Sequence, residues 1–155
     1  DYKGVRFGLI DIGGQTALRS SWKQYFAGTT AIILVIDSAD SGRMHLAKAE
    51  LQKIVQDEVS DKPGTECTPR LRTHVVSRAS HPTDTPQDLS SALLLVLANK
   101  QDLPASSRMT PAQVSEALGL TDLREREWQI MGCSALTGLG LFEGMDWLVG
   151  KLESR

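Results

Sequence analysis

Two runs of consecutive apolar residues constrain what this chain can fold into more than any other feature. Residues 31–36 read Ala-Ile-Ile-Leu-Val-Ile, and residues 92–98 read Ala-Leu-Leu-Leu-Val-Leu-Ala. Apolar runs of about four to eight residues are typical of strands that are buried on both faces, as the strands of a parallel sheet are. Residues 5–10 and 129–133 are weaker strand candidates. The sequence therefore predicts a sheet that is mainly parallel.

Helical patterns lie between and after the predicted strands. Residues 41–57 and 141–152 each carry apolar side chains at helical spacing. Thr110, which is followed by a proline and then by Gln113, has the pattern of a capping box, and Gly119 supplies a stop signal. The alternation of strands and helices predicts an α/β domain.

Composition limits the possible classes of function. The chain has 155 residues, of which 41% are hydrophobic, and this is enough for one domain with a packed core. Its formal net charge of −2 offers no electrostatic basis for binding nucleic acid. No apolar run reaches the length of about 18 residues that a transmembrane helix needs. Cys67 and Cys133 suggest neither a disulfide framework nor a zinc site, so a cytoplasmic protein is expected.

Residues 60–91 interrupt the alternation of strands and helices. They contain four of the six prolines in the chain, many serines and threonines, and no sustained periodicity. Loops longer than about 12–15 residues are uncommon inside compact domains and are usually functional or disordered. We therefore expect residues 60–91 to form a disordered surface insertion in a single domain that spans residues 1–155.

The first motif with chemical content is Asp-Ile-Gly-Gly-Gln at residues 11–15. A carboxylate at Asp11 can hold a water molecule of a Mg²⁺ ion, because Mg²⁺ keeps most of its waters when proteins bind it. Gly13 and Gly14 would let a backbone N–H approach a phosphate, and Gln15 could orient the water that attacks it. A tight turn without any ligand is the alternative, since such turns are frequent.

The second motif is Asn-Lys-Gln-Asp at residues 99–102. The carboxylate of Asp102 can accept two N–H bonds from the edge of guanine, a pairing that adenine does not offer. Asn99 can connect the loop and reach the base, while the aliphatic stem of Lys100 can lie along the face of the base. A polar loop without a ligand is the alternative. Ligands bind beyond the carboxyl ends of parallel strands, so Asp11 and Asn99 are expected to face the same crevice.

The third motif, Cys133-Ser134-Ala135, follows the last strand candidate. A small residue at position 135 would let its N–H meet the carbonyl oxygen of guanine. The three motifs occur in order and each follows a predicted strand, so together they predict a guanine-nucleotide site. The phosphate-cradling pattern G-x-x-x-x-G-K-S/T does not occur in the 155 residues.

With these motifs, the chain resembles the ADP-ribosylation factor (Arf and Arf-like) family of small GTPases. The matching stretches are residues 11–26, 36–38, 97–104, 118–120 and 133–147. The resemblance implies that GTP or GDP and Mg²⁺ are bound, and it implies a role for each motif residue. Asp11 would hold Mg²⁺ through water, Gly14 would contact the terminal phosphate and Gln15 would serve hydrolysis. The base would be held by Asn99, Lys100, Asp102, Cys133, Ser134 and Ala135.

The fold that the resemblance implies is the Ras-like P-loop GTPase fold, an α/β fold with a mainly parallel sheet and helices on both faces. The first strand, the phosphate loop, the first helix and switch I of that fold are not expected within residues 1–155. The absent strand would lie between the strand that ends at Asp11 and the strand that ends at Asp37. The centre of the sheet is therefore expected to contain an empty slot.

The function that the resemblance implies is a GTP/GDP-dependent switch in membrane traffic. Its partners would be guanine nucleotide, exchange factors, GTPase-activating proteins and effectors, with peripheral association at the Golgi or other endomembranes. Without the phosphate-cradling pattern, the 155-residue chain is not expected to bind or hydrolyse GTP normally. A degenerate, non-catalytic interaction module built on the same scaffold is the alternative.

Overall fold

The computed structural model describes residues 1–13, 29–55, 72–78, 92–124 and 126–155. These residues form one five-stranded sheet with helices on both of its faces. The strands are β1 (Phe7–Gly13), β2 (Thr29–Asp37), β3 (Arg72–Arg78), β4 (Leu93–Asn99) and β5 (Trp128–Gly132). The helices are α1 (Met44–Val55), α2 (Pro111–Leu118) and α3 (Leu141–Glu153).

The strand order across the sheet is β1-β3-β2-β4-β5. β4 pairs in parallel with β2 and with β5, whereas β3 is antiparallel to both of its neighbours, β1 and β2. Four of the five strands therefore run in the same direction, and β3 is the exception. The prediction of a mainly parallel sheet is confirmed.

The two central apolar runs are buried on both faces of the sheet. α1 and α2 cover one face, where they pack against Ile32, Leu34, Ile36, Leu94 and Val96. α3 covers the other face, where Leu148 and Leu152 pack against Ala31, Ile33, Leu93 and Leu95. Successive strand residues point to opposite faces, so a strand with a helix layer on each side must be apolar throughout.

The strand β3 lies inside the segment that was expected to be disordered. Residues 72–78 form a strand with neighbours on both sides, so the prediction of disorder is wrong for these seven residues. Residues 60–71 and 79–91 lie outside the described part of the chain. The sequence Arg-Thr-His-Val-Val-Ser-Arg contains three β-branched residues, which favour a strand, but its surroundings of prolines and polar residues hid that preference.

The slot expected to be empty at the centre of the sheet is filled by β3. Ile10 of β1 and Ile32 of β2 both align with Val75, on opposite sides of β3. An unpaired backbone group in a buried position costs about 1–3 kcal/mol, so two facing ladders without a strand between them would be strongly destabilised. The antiparallel strand β3 supplies the donors and acceptors that these two ladders require.

The helix α2 begins and ends where its sequence signals predict. The backbone N–H of Gln113 donates to Oγ1 of Thr110 at 3.3 Å, and Oε1 of Gln113 accepts from the N–H of Thr110 at 2.8 Å. Gly119 follows the last helical residue in the left-handed conformation, with φ of 71°. No helix within the described ranges is long and apolar enough to cross a membrane.

We expect Thr110→Ala to lower the stability of the domain, because the substitution removes the side-chain half of this capping box. Loss of an N-cap oxygen typically costs about 1 kcal/mol, which corresponds to a fall in Tm of about 2–4 °C for a domain of this size. Thr110→Ser keeps the oxygen and is the matched control. Differential scanning fluorimetry of the three proteins measures the effect, and equal Tm values for wild type and Thr110→Ala would contradict it.

Candidate functional site

The carboxyl ends of β2, β4 and β5 lie side by side at one edge of the sheet. Asp37 at the end of β2 is aligned with Asn99 at the end of β4, and Gly132 at the end of β5 is aligned with Ala98. The loops that follow these strands therefore leave the sheet at the same level. This pairing brings together the motif at residues 99–102 and the motif at residues 133–135, as expected of motifs that each follow a strand of a parallel sheet.

Asn99 connects these two loops through its side-chain oxygen. Its Oδ1 accepts from the backbone N–H of Lys100 at 2.8 Å and from the backbone N–H of Ala135 at 2.9 Å. The Sγ atom of Cys133 also lies 3.9 Å from the same oxygen. One side chain thereby fixes the start of its own loop and the neighbouring loop, which supports the prediction that Asn99 connects the site.

Asp102 is held by the loop that follows β5. The hydroxyl of Ser134 donates to Oδ1 of Asp102 at 2.5 Å, and the backbone N–H of Thr137 donates to Oγ of Ser134 at 3.2 Å. Ser134 is fully buried, whereas Asp102 is exposed. The Ser134 hydrogen bond, a backbone N–H and the nearby charges of Lys100 and Arg108 hold the pKa of Asp102 below its usual range. Asp102 is therefore a fixed, ionised acceptor that faces solvent.

Lys100 turns the chain away from β4 and reaches back toward β2. Its backbone has φ of 69°, in the left-handed region that residues with a side chain seldom adopt. Its Nζ lies 2.8 Å from Oδ2 of Asp37, and its side chain is partly exposed. The amine is thus held at one end while the four-carbon stem lies at the surface of the site.

Gln101 connects the loop after β4 to neighbouring segments, a role that the motifs did not predict. Its Nε2 donates to Oγ of Ser38 and to the carbonyl oxygen of Met109, each at 3.1 Å. Its Oε1 accepts from Arg108, whose Nε donates to the carbonyl of Leu103 at 2.8 Å. Gln101 and Arg108 therefore shape the loop that carries Asp102. No local sequence signal marks this role, because the partners come from separate parts of the chain.

Comparison with known proteins identifies the family to which the chain belongs. The sequence model of the ADP-ribosylation factor family matches residues 1–63 and 71–152. The chain belongs to the ADP-ribosylation factor family. It is an Arf-family small GTPase by descent, and the resemblance noted from the motifs is confirmed.

Individual relatives agree with the family assignment. ADP-ribosylation factor-like protein 5 of Caenorhabditis elegans is 40% identical over 152 residues, which are 97% of this chain and 68% of that protein. ADP-ribosylation factor 1 of Brassica rapa subsp. pekinensis is 36% identical over 153 residues, which are 99% of this chain and 67% of that protein.

A solved structure confirms the fold class. The small GTPase Arl6 (BBS3) of Trypanosoma brucei, solved with the bound nucleotide analogue GppNp, superposes with a TM-score of 0.65 and 26% sequence identity. The match covers 90% of this chain and 68% of that one. The Arf-family chain therefore has the Ras-like α/β small GTPase fold, and the family is one that binds guanine nucleotide.

The N–H of Ala135 in this Arf-family chain already has an acceptor within the protein. The motif at residues 133–135 predicted that this N–H would meet the carbonyl of guanine, but here it donates to Oδ1 of Asn99. A guanine carbonyl at this position would have to share the N–H with Asn99 or displace it. The sequence alone could not identify this competing acceptor.

Cys133 contributes mainly through its backbone. Its N–H donates to the carbonyl of Ala98 at 3.0 Å, and its carbonyl accepts from the N–H of Gln101 at 2.9 Å. Burial raises the pKa of the Cys133 thiol to about 11. The thiol is therefore neutral near pH 7, and the residue joins β5 to β4 and to the loop after β4.

Asp11 lies apart from the cluster formed by the other two motifs. β1 continues two residues beyond Asp11, so Asp11 does not end the strand as expected. Its register places it level with Ile33 and Leu95, four residues before the ends of β2 and β4. Asp11 and Asn99 are separated by three strand spacings across the sheet and by four residues along the strand direction. Together these two displacements correspond to roughly 20 Å. The expectation of a shared crevice would therefore require a ligand of that length.

The phosphate side of the predicted site falls largely outside the described residues. Gly14 and Gln15 are not among them, so the roles predicted for these two residues stay predictions, while the side chain of Asp11 is exposed. In the described part of the chain, no group of three or more His, Cys, Asp or Glu residues could hold a metal ion. Asp11 is therefore not a member of such a group within those residues.

Proposed function

We propose that the loops after β4 and β5 recognise the guanine base of GTP or GDP. The observation that carries this proposal is the solvent-facing carboxylate of Asp102, which the buried hydroxyl of Ser134 fixes at 2.5 Å. Guanine presents two neighbouring donors, a ring N–H and an exocyclic amine, on the edge that an ionised carboxylate can accept. Adenine has no such pair of donors on the corresponding edge. Leaving Asp102 unpaired against adenine would disfavour that base by about 1–3 kcal/mol.

The other residues of the cluster have defined roles in this proposal. Lys100 would supply an apolar stem along one face of the base, and the N–H of Ala135 would approach the guanine carbonyl. Asn99 would continue to hold the two loops together while the base is bound, with the N–H of Ala135 shared between Oδ1 of Asn99 and the guanine carbonyl. Cys133 and Ser134 would support the base from the strand end of β5. Because the hydrogen bonds of Asn99 and Ser134 and the ion pair of Lys100 are formed within the protein before any ligand binds, little ordering entropy would be lost on recognition.

We further propose that the protein functions as a GTP/GDP-dependent switch in membrane traffic. Membership in the ADP-ribosylation factor family supports this role. Asp11 would hold Mg²⁺ through water, Gly14 would contact the terminal phosphate and Gln15 would orient the attacking water. Exchange factors, GTPase-activating proteins and effectors would be its partners, at the Golgi or another endomembrane.

The base-recognition proposal is tested by comparing guanosine with adenosine. Nucleosides carry no phosphate, and guanosine and adenosine share the same ribose, so a difference in their binding reports on recognition of the base. We expect the 155-residue protein to show saturation-transfer NMR signals for guanosine, with much weaker signals for adenosine at equal concentration. Equal signals, or none for guanosine, would contradict the proposal.

Hydrolysis of GTP by the 155-residue polypeptide is expected to be no faster than in buffer. Phosphoryl transfer depends on charges that stabilise the β- and γ-phosphates, and the lysine of the pattern G-x-x-x-x-G-K-S/T does not occur in this sequence. Single-turnover measurement with radiolabelled GTP gives the rate. A rate above that of buffer that also falls in the variant Gln15→Leu would show that the expectation is wrong.

A non-catalytic interaction module is the second candidate function. The two candidates differ in their response to guanosine, because a module that makes no use of nucleotide has no reason to retain a guanine preference. A folded protein that binds neither nucleoside would favour the module.

A further inference from the structure

We propose that Asp37 is a positioning residue for guanine recognition, because it holds the ammonium group of Lys100 away from Asp102. The sequence motifs predicted no such role for Asp37. This inference rests on the proposed recognition of guanine by the loops after β4 and β5. It adds a third strand end, that of β2, to the site.

Asp37 is itself immobilised, which suits it to this role. It is aligned with Asn99 across the parallel pair of β2 and β4, so its position is set by the sheet. One carboxylate oxygen, Oδ1, accepts from the backbone N–H of Ala39 at 3.0 Å. The other, Oδ2, lies 2.8 Å from Nζ of Lys100, and only 13% of the Asp37 side chain is exposed.

Lys100 needs such a partner because a second carboxylate lies nearby. Asp102 follows it by two residues, and the charge of Lys100 is one of the causes that lower the pKa of Asp102. A lysine side chain has four rotatable bonds and a mobile point charge, so without Asp37 it could turn toward Asp102. An ammonium group on Asp102 would occupy the acceptor that guanine requires.

Asp37 therefore has two effects on the site. It leaves the carboxylate of Asp102 available to a base, and it keeps the stem of Lys100 extended where the face of the base would lie. Both effects exist before a ligand binds, since the ion pair of Asp37 with Lys100 is formed in the protein alone. An ordered lysine stem spares the entropy cost of fixing a flexible side chain during binding.

The first test measures the free protein and needs no nucleotide. Carbon-detected NMR titration of the side-chain carboxyl group gives the pKa of Asp102 in wild type and in Asp37→Asn. We expect a lower Asp102 pKa in Asp37→Asn, because the released ammonium group approaches Asp102. The other causes that act on this pKa are the Ser134 hydrogen bond, a backbone N–H, partial desolvation and the charge of Arg108, and the substitution leaves their groups in place. An unchanged pKa would overturn the proposal, whether or not guanosine binds.

Two further variants separate this effect from the mere loss of a charge. Asp40→Asn removes the same charge three residues away, where Asp40 pairs with Arg43 rather than with Lys100. Lys100→Met keeps an apolar stem and removes the ammonium group. We expect Asp40→Asn to leave the Asp102 pKa near its wild-type value. In the Lys100→Met background, the substitution Asp37→Asn should no longer lower the Asp102 pKa. A persistent decrease would contradict the proposal that Asp37 acts on Asp102 through the ammonium group of Lys100.

The second test measures binding of guanosine by NMR titration. Asp37→Asn should weaken binding by about three- to tenfold, as expected when a lysine side chain must be ordered and a competing ion pair broken. Asp40→Asn should bind as wild type does. If wild type shows no guanine preference, the proposed function fails, and the pKa measurement still decides the role of Asp37. If wild type binds guanosine and Asp37→Asn binds it equally well, the positioning role is wrong.

Discussion

Val75→Pro should abolish cooperative unfolding of the domain or lower its Tm by about 10 °C or more. Val75 lies in the middle of β3, between Ile10 of β1 and Ile32 of β2. A strand with neighbours on both sides directs every backbone N–H toward one ladder or the other. Proline removes that donor and introduces a ring that pushes the neighbouring strand away. The combined cost is expected to be about 3–5 kcal/mol, a large part of the 5–15 kcal/mol that typically stabilises a domain.

Val75→Thr is the matched control for this substitution. Threonine keeps the backbone N–H and a β-branched shape, so the pairing of β3 with both neighbours can persist. Circular dichroism melts of the three proteins give the comparison. If Val75→Pro unfolds at the same temperature as Val75→Thr, then β3 is not a structural member of the sheet in solution, and the slot between β1 and β2 must be closed in another way.

Asp102→Asn should weaken guanosine binding by about two orders of magnitude. The substitution replaces an ionised acceptor by a neutral amide with one acceptor and one donor group, whereas guanine offers two donors. Two charge-assisted hydrogen bonds contribute about 1.5–3 kcal/mol each, so the loss of one and the weakening of the other accounts for this change. The fold should persist, because Asp102 is exposed and the Ser134 hydroxyl can still donate to the amide oxygen.

Xanthosine supplies the matched ligand for the same variant. Xanthine carries a carbonyl group where guanine carries its exocyclic amine, so its edge offers one donor and one acceptor, complementary to asparagine. Saturation-transfer NMR with an equimolar mixture of guanosine and xanthosine should give guanosine signals for wild type and xanthosine signals for Asp102→Asn. An unchanged preference for guanosine in the variant would mean that Asp102 does not read the base.

The features that the sequence predicted correctly depend on local patterns. The apolar runs at residues 31–36 and 92–98 form the buried strands β2 and β4, because burial on both faces requires apolar residues at every position. The cap at Thr110 and the left-handed Gly119 bound α2 for reasons contained within a few residues. The motifs that follow β4 and β5 are neighbours because adjacent parallel strands end at the same level.

The sequence by itself thus determined the α/β class, the central strands, the bounds of α2 and the family. The tertiary structure decided that residues 72–78 form a strand, because the ladders of β1 and β2 require a partner and the surrounding prolines and polar residues hide the weak strand preference of this segment. It also decided that Asp37 holds Lys100 and that Asn99 takes the N–H of Ala135. Asn99 and Ala135 lie 36 positions apart in the sequence, and Asp37 and Lys100 belong to the ends of different strands. The backbone hydrogen bonds of the sheet, which carry no side-chain signature, bring these residues together.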